Sequence, residues 1–154
     1  MSQELAAAIG HAVIEWGRVE DTAGALTAIL LQADMTDFRA VHANMMGAGK
    51  FDTLSAVALR RLPPRQAATI VKICVAVKGQ QAERNRIVHG CWFRGRIPTV
   101  GVRYSYRAYG VLDPKREEVS AARIAGHTAE VARLGRRLNY ALERQGIYRR
   151  EPRA

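Results

Sequence analysis

Cysteine and long apolar runs are both scarce in this chain. The two cysteines among its 154 residues, Cys74 and Cys91, form no Cys-x-x-Cys pair, so no disulfide framework is expected. The longest apolar stretch, residues 23–31, is too short to cross a bilayer, which takes about 20 apolar residues. Charged residues interrupt the first twenty positions, which is not typical of a signal peptide. We therefore expect a cytoplasmic protein without a membrane partner.

Motifs for metal and nucleotide chemistry are also missing. The four histidines are scattered along the chain, and their spacing indicates no metal site. The segment Gly47-Ala-Gly-Lys50 has part of a phosphate-loop pattern, but Phe51 stands where that loop requires serine or threonine. We expect the protein to use neither a metal nor another cofactor.

Acidic residues are few relative to basic ones, and the net charge is +10. Residues 1–48 carry two basic and six acidic groups, whereas residues 49–110 carry twelve basic and two acidic groups. Residues 111–154 carry ten basic and six acidic groups. Charge alone leaves nucleic acid, acidic protein and a membrane surface open as partners. The concentration of basic residues in the segment 49–110 favours a polyanion site there.

Apolar residues recur at steps of three and four along most of the chain, which indicates amphipathic helices. Asp34 is a suitable N-cap, Pro64 suits a first helical turn, and Gly90 occupies the place of a left-handed C-terminal cap. These patterns predict helices over about residues 3–32, 35–46, 50–61 and 64–89, and a last helix that Ser120 caps.

Between the fourth and last helices the period changes to two. Residues 100–107 alternate apolar and polar side chains, and residues 91–96 precede them, so a β-hairpin is predicted over about 91–109. Asp113-Pro114 is predicted to be a turn. We expect a mainly α protein: an up-and-down bundle of four to five helices, with this hairpin inserted before the last one. One domain over residues 1–147 and a basic tail over 148–154 complete the prediction.

The most informative segment is Glu83 to Gly90, at the end of the fourth predicted helix. It brings Arg84, Asn85 and His89 within one and a half turns. Arginine binds phosphate through two parallel hydrogen bonds, and imidazole transfers protons near neutral pH. The structural alternative is that Arg84 and His89 only stabilise the carbonyl end of the helix.

This segment resembles the Arg-Asn-x-x-x-His signature of the HEPN superfamily, small helical proteins that include many metal-independent RNases. The phrase Glu15-Trp-Gly-Arg-Val-Glu20 in a long first helix looks like a bacterial and phage-type group of the same superfamily. The resemblance implies attack of a ribose 2′-hydroxyl on its own phosphate. His89 would be the general acid or base, Arg84 the phosphate stabiliser and Asn85 an orienting group. A toxin or defence role, with an antitoxin or other partner protein, is implied in the same way.

On a regular helix, Arg84 and His89 lie about 140° apart around the axis. They are therefore expected to flank one phosphate only if the helix end unwinds, or to line a groove completed by a second copy. In the resembled superfamily two such helices meet at a two-fold axis, so a homodimer is expected.

Further basic residues near the signature are predicted to bind RNA: Arg86, Arg94, Arg96, Arg103 and Arg107. Arg103 and Arg107 are placed by the alternating pattern on a polar strand face, which could also be simply a solvent face. The leading prediction is a metal-independent endoribonuclease. A non-catalytic HEPN-like module that binds RNA or protein, and a DNA-associated accessory protein, are the alternatives.

Overall fold

Five helices and three strands make up the described part of the chain. The computed structural model describes residues 1–108 and 112–144, and the side chains of all of these except 105–108 and 112–115. In chain order the elements are α1 (Gln3–Leu31), α2 (Met35–Ala43), α3 (Gly47–Arg61), α4 (Pro64–His89), β1 (Cys91–Arg94), β2 (Val100–Ala108), β3 (Leu112–Ser120) and α5 (Ala121–Arg144). The prediction of a mainly helical fold with a small β-element before the last helix is confirmed.

Side chains predicted as caps begin two of the helices. The Asp34 carboxylate accepts hydrogen bonds from the backbone N–H groups of Thr36 and Asp37, at 2.8 and 3.0 Å. The Ser120 hydroxyl accepts one from the N–H of Arg123, at 3.1 Å. Each bond satisfies an N–H group that has no partner within its helix. The bounds of α2 and α3 differ from the prediction, since α2 ends at Ala43 and α3 already begins at Gly47.

Gly90 is needed for a different reason from the one predicted. It does not adopt the left-handed conformation, so the predicted left-handed cap is wrong. Its N–H group donates to the Arg86 carbonyl, at 3.1 Å, and continues the helical pattern. A β-carbon at this position would lie 2.5 Å from that oxygen and 2.8 Å from Cγ of Arg103. Glycine is therefore required because Arg103 and the backbone approach so closely.

The β-element is a three-stranded antiparallel sheet in the order β1-β2-β3. The predicted pairing of β1 with β2 is present, with Phe93 opposite Val102. The predicted turn at Asp113-Pro114 is wrong, because both residues lie in β3, where Pro114 pairs with Tyr106. Proline lacks an N–H donor, but an edge strand such as β3 tolerates it.

Two compact units divide the chain. The first comprises residues 1–16 and 80–131, and the second comprises residues 17–79 and 132–154. The prediction of one domain over 1–147 stays a prediction, and the tail at 148–154 lies outside the described residues. The apolar core of the first unit contains Leu5, Ala12, Ile87, Val119, Ala121 and Ile124. Buried side chains of the second unit include Leu26, Phe51, Leu54, Ile70, Ile73, Leu134 and Leu138.

None of the helices over 1–108 and 112–144 combines the length and the apolar character that a bilayer-spanning helix needs.

His42 of α2 packs directly on Gly24 of α1 in the second unit. The imidazole is 7% exposed, and its Nε2 atom has no hydrogen-bond partner among the described residues. A β-carbon on Gly24 would lie only 2.6 Å from Cε1 of His42. Burial, assisted by the positive charge of Lys50, lowers the pKa of His42 below its usual 6.5. The two helices therefore contact each other through a glycine and a neutral imidazole.

We predict that Gly24→Ala destabilises the protein by about 1–3 kcal/mol, because the added methyl group must displace the buried imidazole. Gly10→Ala, in the same helix, is the matched control. A β-carbon there meets nothing within 4 Å, so it should stabilise by about 0.5–1 kcal/mol. Urea denaturation measures both. Equal stabilisation by the two variants would contradict the close packing of His42 on Gly24.

We also predict that acid weakens the folded state partly through His42. Because its pKa is lower in the folded protein than in the unfolded chain, the unfolded chain binds more protons as the pH falls below about 6.5. The contribution of the neutral imidazole is complete above that pH and is lost below it. His42→Gln should therefore reduce the fall in melting temperature between pH 8 and pH 5. An identical fall in both proteins would exclude this role.

Candidate phosphodiester site at the end of α4

Arg84 and His89 lie next to each other at the end of α4. Nη1 of Arg84 is 3.4 Å from Nε2 of His89, although the helix continues to His89 without unwinding. The expectation that a regular helix keeps the two side chains apart is therefore wrong. The arginine side chain is long enough to bridge the angular offset between the two positions. A second copy of the chain is not required to bring these two groups together.

Trp16 of α1 supports the guanidinium of Arg84. The indole is 2% exposed, and the guanidinium carbon lies 6.0 Å from its ring centroid. A cation over the face of tryptophan is attracted by the electron-rich ring. The interpretation of Trp16 as core packing is confirmed, but its second role was missed. The first helix and the signature are far apart in sequence, and periodicity does not show which side chain covers the indole.

The remaining contacts leave Arg84 able to bind an anion. Its Nη1 donates to Oδ1 of Asn85 at 3.1 Å, while its Nε is buried without a hydrogen-bond partner. Within residues 1–108 and 112–144, no carboxylate forms an ion pair with it. Asn85 and His89 are exposed, so solvent and solutes reach the group. An arginine whose charge is not neutralised by a carboxylate, beside an accessible imidazole, suits a phosphate.

Arg103 of β2 is buried in an ion-pair network. Its side chain is 1% exposed, and its two terminal nitrogens lie 3.1 Å from Oε1 of Glu83 and 2.5 Å from Oε2 of Glu117. The guanidinium carbon also lies 5.6 Å from the ring centroid of Trp92. The prediction that Arg103 binds RNA from a polar strand face is wrong, because its charge is already paired and water does not reach it.

The carboxylates of this network are shared with α5. Nη1 of Arg123 lies 2.5 Å from Oε1 of Glu117, and its Nη2 lies 3.7 Å from Oε1 of Glu83. Burial alone would raise the pKa of Glu117, but hydrogen bonds from Arg103 and Arg123 outweigh that effect and hold its pKa below the usual value. Because Glu83 immediately precedes Arg84, the network attaches the signature to β2, β3 and α5.

The other predicted RNA-binding residues have separate surroundings. Nη2 of Arg86 lies 2.7 Å from Oε2 of Glu83, and the Arg86 side chain is 46% exposed. Arg94 and Arg96 are exposed, and Arg94 lines a shallow cavity of about 340 Å³ beside the sheet. The backbone of Arg107 lies in β2, but its side chain is outside the described part of the structure.

In the described residues, no group of three or more histidine, cysteine, aspartate or glutamate side chains is arranged to hold a metal ion. No family model, curated protein or solved structure matches this chain.

We predict that Arg103→Ala destabilises the protein by about 3 kcal/mol. The substitution leaves two carboxylates facing a cavity, although Arg123 still neutralises them in part. Arg96→Ala removes an exposed arginine with no ion pair among the described residues and should change stability by at most about 0.5 kcal/mol. Thermal and urea denaturation at pH 7 test both variants. Equal effects would mean that the buried network contributes nothing to the fold.

Proposed function

We propose that this protein is a metal-independent endoribonuclease whose working residues are Arg84 and His89. The observation that carries the proposal is the 3.4 Å approach of Nη1 of Arg84 to Nε2 of His89 at an accessible helix end. Phosphate recognition and proton transfer are thereby available at one place. The resemblance of residues 84–89 to the HEPN signature supports the same activity, and the net charge of +10 suits an RNA substrate.

Binding of a phosphodiester prepares the site for reaction. The phosphoryl oxygens bind the guanidinium of Arg84, and the Asn85 amide donates a further hydrogen bond to them. Because the guanidinium turns toward the phosphate, its contact with His89 opens and Nε2 becomes free to accept a proton. Trp16 packs against the guanidinium and does not neutralise its charge.

The reaction is an internal displacement at phosphorus. Nε2 of His89 removes the proton from the ribose 2′-hydroxyl as its oxygen forms a bond to the adjacent phosphorus. The bond from phosphorus to O5′ breaks, and O5′ takes a proton from water. The products are a 2′,3′-cyclic phosphate and a 5′-hydroxyl end, and the imidazolium returns its proton to solvent. Arg84 stabilises the additional negative charge on the phosphoryl oxygens as the reaction proceeds.

Cleavage of end-labelled RNA in the presence of EDTA tests the proposal. We predict 2′,3′-cyclic phosphate ends from the wild-type protein and at least a 100-fold loss of rate in Arg84→Ala and His89→Ala, by analogy with other general acid–base and charge-stabilising residues. His11→Ala and Arg60→Ala, which remove an exposed histidine and an exposed arginine elsewhere, should cut normally. A substrate with a single 2′-deoxy sugar at the cut position should resist cleavage.

The controls separate the alternatives. Melting curves verify that the inactive variants are folded. If both variants cut as fast as wild type, His89 and Arg84 only stabilise the helix end. If wild type cuts nothing in a broad RNA pool but binds it, the protein is a non-catalytic binding module.

A homodimer is part of the proposal. Whether the second subunit contributes a residue to the site can be tested separately. Light scattering measures the association. Because Arg84 and His89 of one chain already meet, a mixture of the two inactive variants should stay inactive. Recovery of activity in the mixture would mean that each site takes its arginine and its histidine from different subunits.

A further inference from the structure

A second basic region lies in the second unit, on the carboxyl-terminal part of α5. Here α5 and the first turns of α4 enclose a groove of about 570 Å³. Four arginines of α5 line it: Arg133, Arg136, Arg137 and Arg144. The proposed RNase site lies in the first unit and shares none of these residues.

The arginines form a row and not a compact cluster. With a rise of 1.5 Å per residue, the helix carries them over about 16 Å from Arg133 to Arg144. Arg136 and Arg137 are exposed and form no ion pair within the part of the chain that the structure describes. No carboxylate is present among the described residues that line the groove. Arg136 and Arg137 therefore present unneutralised charge to a negatively charged ligand.

An aromatic ring interrupts this row. Tyr140 follows Arg137 by three residues and precedes Arg144 by four, so all three share one face of α5. The ring is 59% exposed, and the Arg144 guanidinium lies 5.6 Å from its centroid. Exposed aromatic rings beside basic side chains are the combination on which unpaired bases stack while their phosphates are bound.

Ile70 and Ile73 of α4 also line the groove, but they are only 2% and 1% exposed, so they offer little apolar surface to a ligand. Stacking in this groove therefore depends on the exposed ring of Tyr140. In duplex nucleic acid the bases are stacked on each other and paired, so their faces are not available to that ring.

We propose that this α4–α5 groove binds single-stranded nucleic acid, with phosphates on Arg136 and Arg137 and a base stacked on Tyr140. The cationic residues among the described lining of the groove are all arginines, and the planar guanidinium of arginine matches phosphate oxygens in pairs. Binding here does not depend on the proposed cleavage at Arg84 and His89. Single-stranded RNA and DNA offer the same phosphates and stacking surfaces, so both belong to the proposed ligand class.

Fluorescence anisotropy of labelled twelve-nucleotide strands tests the groove. The RNA measurements use full-length His89→Ala protein, so that cleavage does not consume the probe, and DNA of equal sequence is measured with wild type. Arg136→Ala/Arg137→Ala should weaken binding at least tenfold and lower the slope of log affinity against log salt by about 1.4, or 0.7 for each lost phosphate contact. Tyr140→Ala should weaken binding about tenfold, whereas Tyr140→Phe should bind normally because it retains the ring.

The matched control is Arg60→Ala/Arg61→Ala, which removes two adjacent exposed arginines at the end of α3. It changes the net charge equally and should leave most of the affinity intact. Equal weakening by both double variants would overturn the proposal, since net charge alone would then explain binding. Competition by a twelve-residue polyglutamate peptide together with an unaffected Tyr140→Ala variant would also overturn it, in favour of an acidic protein partner.

The results of the binding and cleavage experiments test the two proposals independently. If no RNA is cut but strands bind through Arg136, Arg137 and Tyr140, only the RNase proposal is lost. If RNA is cut and the groove variants bind strands as tightly as wild type, only the groove proposal is lost.

Discussion

The first unit depends on the ion pairs that the buried guanidinium of Arg103 forms with Glu83 and Glu117. Removing a charge from water costs several kcal/mol unless the surrounding groups replace its hydration. Here Glu83, Glu117 and the Trp92 ring do so from α4, β3 and β1. One side chain of the central strand is thereby attached to the end of the helix that carries the signature. Gly90 belongs to the same arrangement, because any larger residue would collide with Arg103.

Arg84 and Arg103 show how one residue type serves two purposes in the same unit. Arg103 is surrounded by carboxylates, so its charge is used within the fold. Arg84 rests on Trp16 and forms no ion pair with a carboxylate among the described residues, so its charge is available to a ligand. An aromatic ring positions a cation without neutralising it, whereas a carboxylate does both. The proposed chemistry requires an arginine beside His89 that is positioned by an aromatic ring and not neutralised by a carboxylate, as Arg84 is.

The features that the sequence predicts correctly are those that local forces determine. The helix predicted over about 64–89 is α4, Pro64–His89, and the caps at Asp34 and Ser120 are confirmed because a cap depends on a few neighbouring groups. Strand β3 was missed because Asp113-Pro114 is a strong local turn signal and the charged residues after it show no apolar alternation. Its strand conformation comes from pairing with β2, which local sequence does not encode.

Three properties follow from the sequence alone: the helical pattern, the concentration of positive charge, and the presence of Arg84, Asn85 and His89 at one helix end. Periodicity and spacing contain this information because neighbours along a helix are neighbours in space. Which arginines are buried and which remain available to a ligand depends on folding. Folding brings together residues that are distant in the chain, such as Trp16 with Arg84 and Glu117 with Arg103. Charge can be counted from a sequence, but its neutralisation depends on the partners that folding brings within reach.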